Sequence, residues 1–289
     1  MEAVIKQFNT WLMANSKEPN TVNNYVYDMK QFIMATNINS HTEITKEIVL
    51  NYFANLKLTQ SQSTINRKLA ALKSFLDCFD ILMKLPKGKR PLKKVHSSIS
   101  EEELETKIEP VLQYICENGI RAKAIIYTLY YCGLRRCDIV TLKRSQFNFE
   151  KNIITAYIKK QNIEKEIDIP LKLKDVLVKY FASEGEDTNA FNTSISSIQN
   201  IFTKLKVNFP EMKLHPHKMR RSYATNLSKL GMRVEEIQGF MGHKELETTA
   251  GYICVDEKLA REKYLRLMKE KLDNERKENL KKNKKRKDV

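Results

Sequence analysis

Histidine is scarce in this chain, five in 289 residues, and three of the five fall in one stretch, HPHKMRRSYATNLSKLGMRVEEIQGFMGH, from His215 to His243. His217 and Arg220 stand three residues apart, on one face of a helix. Gly231 and Gly242 read as the residues that end two successive helices, so His243 follows a fixed turn and Tyr252 comes nine residues later. Upstream, YYCGLRRCDIVTL sets Arg135 two residues after Gly133, where one helix stops and Cys137 and Asp138 open the next. A guanidinium offers planar, bidentate donors and a charge that does not titrate away. A phenol, with a pKa of about 10, becomes a nucleophile only beside a base or in a strong positive field. Together these groups can hold an anion and attack it. Singly, each also has a plain structural role: Arg135 as a helix cap, the histidines as satisfied buried groups, Arg220 and Arg221 as a solvated face, Tyr252 as core.

The elements that must position these residues are mostly helical. Apolar residues recur at helical spacing over 2–15, 21–36, 45–57 and 63–83, with short connections, and predict a four-helix bundle. Residues 84–100, KLPKGKRPLKKVHSSIS, break that pattern with two prolines, a glycine and six Lys/Arg, and read as a basic linker able to lie along a phosphate backbone. Ser100 and three glutamates then open a helix over 101–117, followed by one over 120–132. KNIITAYIKKQNIEKEIDIPL, residues 151–171, alternates at both ends around a polar middle, which predicts a β-hairpin without a glycine turn. Helices resume over 172–182, 194–207, 217–230, 234–241 and near 245–252, and a Lys/Glu-rich helix over 256–289 ends in a basic tail.

Composition narrows the classes. Gly 8 and Pro 7 are few for this length, which favours long helices over a turn-rich β sandwich. Lys+Arg 51 against Asp+Glu 35 leaves +16, so the partner is polyanionic: a nucleic acid or an acidic membrane surface. The longest apolar run, around Ala124 to Leu134, is shorter than the roughly 20 residues of a spanning helix, and MEAVIKQFNTW carries no secretory pattern. The five cysteines form no C-x-x-C pair, which disfavours a disulfide framework or zinc cluster and implies a reduced, intracellular, cytoplasmic setting.

Taken in order, Gly133-Leu134-Arg135, the hairpin Lys160, His217-x-x-Arg220, Gly242-His243 and Tyr252 resemble the tyrosine recombinase (phage-type integrase, Xer-like) family. The resemblance extends over about residues 1–255 and includes STINRKLAALKSF at 63–75. It implies a mainly α chain with an N-terminal helical core-binding (SAM-like) domain over 1–83. The basic linker at 84–100 follows, then an α-rich catalytic domain with a small β-hairpin or sheet over 101–255, then a C-terminal helix and basic tail over 256–289.

It also implies roles. Arg135 and Arg220 neutralise the phosphate, His243 donates to it, and Tyr252 attacks it. His217 accepts the phenol proton or holds a phosphoryl oxygen, and Lys160 protonates the leaving 5′-oxygen, with Lys159 and Lys165 as alternatives because more residues than usual separate Lys160 from Pro170. Arg221 stands where the family often has His, and Met241 where it usually has Leu. Arg67, Lys68, Lys89 and Arg90 are expected on DNA phosphates. No metal, cofactor or ATP is expected. The partners implied are double-stranded DNA and further copies of the chain, as a tetramer on two sites, and no membrane. A type IB topoisomerase, a non-catalytic DNA-binding protein that keeps the fold, and a basic nucleic-acid-packaging protein are the alternatives.

Overall fold

The computed structural model describes residues 1–89, 97–159, 161–183 and 189–242, together with Leu265 and Met268. The chain divides into two compact units, Met1–Lys94 and Val95–Val289.

The first unit holds α1 (Glu2–Ala14), α2 (Pro19–Thr36), α3 (Lys46–Thr59) and α4 (Gln62–Cys78). Their apolar faces meet on Phe8, Leu12, Phe32, Leu72 and Phe75, all at most 2% exposed, and Phe8 and Phe75 pack edge to face. Each such side chain contributes about 1.5–3 kcal/mol on burial. Thr45 and Ser61 cap α3 and α4, each accepting from a backbone N–H three residues on.

Most boundaries fall within two residues of the periodicity, and two of the differences have a clear physical cause. α2 begins at Pro19 rather than residue 21, because proline at the first turn has its φ already set and lacks only an N–H that would go unpaired. α4 ends at Cys78 rather than 83: Asp80 takes φ 52°, and the Ile81 N–H reaches back to the Leu76 carbonyl at 2.9 Å. That is a Schellman ending built without glycine. The chain beyond it still packs on this unit through Ile81, Met83 and Leu85, and the Lys89 carbonyl accepts from the Asn66 amide at 2.8 Å.

The second unit is built around α7 (Gly119–Cys132), buried on nearly every side and packed against α9 (Leu171–Ser183) and α11 (Pro216–Lys229). The helix predicted over 101–117 runs as α5 (Glu101–Glu103), a π-helical stretch at Leu104–Ile108, and α6 (Glu109–Ile115). Pro110 explains the interruption: it has no N–H to give and its ring crowds the carbonyl four residues back, which the wider π turn relieves. Ser100 and Glu103 form a capping box at its start. Ile99 is fully buried here, its N–H donating to Ser222 Oγ at 2.7 Å.

Among the described residues the unit also holds α8 (Arg136–Thr141), a three-stranded antiparallel sheet, α10 (Ile195–Asn208) and α12 (Val234–Met241). The sheet runs β1 (Phe147–Asn148), β2 (Ile153–Ile158), β3 (Ile163–Asp168), with Ile154 opposite Ile167, Ala156 opposite Lys165 and Ile158 opposite Ile163. Asn162 at φ 56° and Asn152 at φ 55° take the left-handed turn positions that glycine would otherwise supply. The short β1 was not visible as a periodic signal. The helix read near 245–252 and the helix and tail over 256–289 fall outside the described residues, save Leu265 and Met268, which are helical and exposed. No helix among the described residues is long and apolar enough to cross a membrane.

Candidate active site

Arg135 stands between α7 and α8. Gly133 ends α7 at φ 61°, and a Cβ there would lie 2.2 Å from Tyr223 Cδ1 on α11. Both the backbone conformation and the ring therefore exclude a side chain at this position. Arg135 is the residue before α8, and its N–H donates to the buried Asp138 carboxylate at 3.0 Å, a local cap that sets the backbone from which the guanidinium projects. Its Nη1 is buried and has no hydrogen-bond partner among the described residues.

Arg220 lies on α11, one turn after Pro216 opens that helix, and is 3% exposed. Its guanidinium donates through Nη1 to the Gly133 carbonyl and through Nη2 to the Met241 carbonyl. One side chain thus joins three segments far apart in sequence: the end of α7 just before Arg135, the His217–Arg220 turn, and the end of α12. The planar fork of arginine suits this task, since two acceptors must be reached at a fixed angle.

His217 and Arg135 line one cleft of about 380 Å³ with Leu134, Arg136, Cys137, Gln199, His215 and Pro216. His217 is open to that cleft, yet the protein packed around it and the charges of Arg221, Arg220 and Arg135, with His215 when protonated, push its imidazole down to about 4. At neutral pH it is an uncharged imidazole in a cationic field, able to accept a proton. His215 is lowered in the same way, chiefly by burial, with Nδ1 2.8 Å from the Lys213 carbonyl.

The end of α12 meets the hairpin. Lys165 Nζ donates to the Gly239 and Phe240 carbonyls at 2.7 and 2.6 Å. Gln161 Nε2 donates to the Gly242 carbonyl, and Gly242 itself sits at φ 58° with the Gln161 amide 2.5 Å from where a Cβ would stand. Burial and the nearby Arg220 hold the Lys165 ammonium below its usual range.

The structure thus brings Arg135, His217 and Arg220 together with Gly242, the residue before His243. Arg90, Lys160, His243 and Tyr252 lie outside the described residues. In the first unit, Arg67 and Lys68 both turn to Asp28, 2% exposed, at 2.5 and 3.4 Å, while Lys89 is exposed. Sequence reasoning passed over Asp28, Gln161 and Tyr223, and named Asp138 only as opening a helix. Only Asp138 carried a local signal, a carboxylate three residues after a helix start. Lys165, weighed as an alternative hairpin lysine, also carried one: it alternates with Ile163, Ile167 and Ile169 on the apolar register of its strand.

Comparison with known proteins bears on the same segments. The phage integrase family matches residues 103–258, and the N-terminal SAM-like domain of phage integrases matches residues 5–79. A tyrosine recombinase of Thermosipho africanus is 26% identical over 274 residues, covering 88% of this chain and 96% of that protein. The tyrosine recombinase XerA of Pyrococcus furiosus is 26% identical over 269 residues, covering 90% and 92%. Among solved structures, a XerH site-specific recombinase bound to palindromic difH substrate superposes with a TM-score of 0.66 at 18% identity, covering 84% of this chain and 78% of that one. That likeness is one of fold. The segments that Arg220 ties together all lie inside the longer family match, which spans more than half of the sequence, and this chain belongs to the phage integrase family.

Proposed function

We propose that the chain is a site-specific DNA recombinase that cuts and rejoins duplex DNA through a 3′-phosphotyrosyl intermediate on Tyr252. The observation that carries this reading is the Arg220 guanidinium gripping both the Gly133 and Met241 carbonyls beside an Arg135 whose Nη1 is buried without a partner among the described residues. A buried cationic donor of this kind is ready for an anionic oxygen.

Arg135 and Arg220 neutralise charge building on the non-bridging oxygens, a contribution of several kcal/mol per well-placed group, roughly 3–4 for one donor. His217, uncharged in the free protein, takes the phenol proton or holds a phosphoryl oxygen, and His243 donates to the phosphate. The Tyr252 oxygen attacks phosphorus, the bond to the 5′-oxygen breaks, and Lys160 supplies the proton that leaves with it. The covalent link keeps the phosphodiester energy, so attack by a 5′-hydroxyl of a partner strand reseals the joint without ATP. Relatives named as recombinases, matched over nearly their whole length, support recombination over simple relaxation of supercoils.

In this reading residues 1–83 and 101–255 form the two domains that hold duplex DNA, joined by the basic linker. Arg67, whose side chain is 38% exposed, and Lys68 meet phosphates from α4, and Lys89 and Arg90 do so from the linker. Four copies act on two sites, and residues 256–275 contact a neighbouring copy.

Incubation with a nicked duplex that traps the cleaved strand tests the reading. The wild-type chain is expected to carry a nucleotide on Tyr252, and Tyr252→Phe to bind DNA without forming the adduct. An undiminished adduct in Tyr252→Phe moves the nucleophile elsewhere.

A further inference from the structure

The last four carbonyls of a helix have no partners within it and form its negative end. At the end of α12 the carbonyls of Gly239, Phe240, Met241 and Gly242 all accept from side chains of other elements, two from Lys165, one from Arg220 and one from Gln161, and Gly239 also accepts from the Gly242 cap N–H, at 3.2 Å. Two of the three donors come from the β2–β3 hairpin. Lys165 reaches the helix from the apolar face of β3, where the opposite residue is Ala156, small enough to leave the stem room. Its ammonium also stands 5.6 Å from the centre of the Phe240 ring. The Gln161 contact is close enough that Gly242 must lack a Cβ.

We propose that Lys165 and Gln161 are positioning residues: they clasp the hairpin to the end of α12 and so fix the turn at Gly242 from which the chain runs on to His243 and Tyr252. This rests on the recombinase reading and adds to it a division of labour within the hairpin. An ammonium already given to two carbonyls is a strut, which leaves proton donation to another group. Adjacent carbonyls at 240 and 241 accept from Lys165 and Arg220, so the strut also steadies the acceptor that orients Arg220. Loss of the clasp leaves every group of the phosphate pocket present but lets the α12 end drift, and a misplacement of about 1 Å costs roughly 100-fold in rate.

The test uses the full-length chain. A nicked duplex captured covalently by the wild-type protein from a randomised pool serves as the probe, alongside the same duplex carrying a bridging 5′-phosphorothiolate, whose thiolate leaves without needing a proton. Lys165→Met, which keeps the apolar stem, is expected to cleave the probe roughly 100-fold more slowly with DNA affinity unchanged. The phosphorothiolate does not restore it, and Lys165→Arg returns most of the rate. In the free protein, amide exchange in the last turn of α12 is expected to speed up about tenfold in Lys165→Met and in Gln161→Ala, each of which removes a polar contact to the helix end. Wild-type cleavage by Lys165→Met overturns the proposal. Full rescue by the phosphorothiolate overturns it too, since Lys165 would then be the proton donor. Unchanged exchange in both variants overturns the clasp even where cleavage falls. Failure of the wild-type chain to capture any duplex instead overturns the recombinase reading itself.

Discussion

Gly133→Ala should damage the site out of proportion to the single methyl it adds. The backbone there sits at φ 61°, and an L-residue in the left-handed region costs about 1–2 kcal/mol. The new Cβ would also stand 2.2, 2.8 and 2.9 Å from three atoms of the Tyr223 ring, which belongs to α11 and is fixed by helix packing. Forcing such a contact apart adds roughly 1–3 kcal/mol, for a total near 2–5 kcal/mol. A domain is stable by only about 5–15 kcal/mol, so the variant folds but is strained at the carbonyl that Arg220 grips.

Urea unfolding of the full chain, followed by pulse proteolysis of the second unit, measures the penalty. Trp11, the one tryptophan, lies in the first unit and supplies an internal control by fluorescence. In a Tyr223→Ala background the ring is gone, and the same substitution should cost only the backbone share, about 1–2 kcal/mol. An equal penalty with and without the ring, or one below about 1 kcal/mol in the wild-type background, would refute the reasoning.

The remaining expectations concern charge. The His217 imidazole, pushed down to about 4 from the ordinary 6.5, should stay uncharged in the free protein when followed by NMR through pH 5. The unfolded chain binds a proton between 6.5 and 4 that the folded chain refuses, so this residue's share of stability is complete above 6.5 and is lost as pH falls through that window. His217→Gln should flatten that stretch of the stability curve, and a titration midpoint at or above 6.5 contradicts the cationic cleft. Asp28→Asn removes the buried carboxylate that Arg67 and Lys68 share, and should lower first-unit stability, read by Trp11 fluorescence, by about 1–3 kcal/mol while tightening DNA binding at low salt. Unchanged stability would show that the two cations do not depend on Asp28, and weaker DNA binding would remove them from the phosphate contacts.

Much of the helical frame was legible because it is local. Ile65, Leu69, Leu72, Phe75 and Leu76 trace the buried face of α4 at helical spacing. The two misjudged boundaries turn on single residues: Asp80 adopts a left-handed angle that the sequence permits without advertising, and Pro19 opens α2 because its φ is already set. The π turn before Pro110 likewise depends on how the chain accommodates a missing N–H.

For the site, residue types and spacing were enough to single out Arg135, His217 and Arg220, since scarce histidines, an i, i+3 pair and glycines at helix ends are properties of neighbouring residues. That Arg220 holds the Gly133 and Met241 carbonyls, that Lys165 and Gln161 take the rest of the α12 end, and that Arg67 and Lys68 answer to Asp28 were decided only by the tertiary structure. The physical reason is the nature of the acceptors. Every residue carries the same backbone carbonyl, so nothing in a side-chain pattern marks which ones are left open, and only the packing of α7, α11, α12 and the hairpin brings donors more than 20 residues away within reach of them.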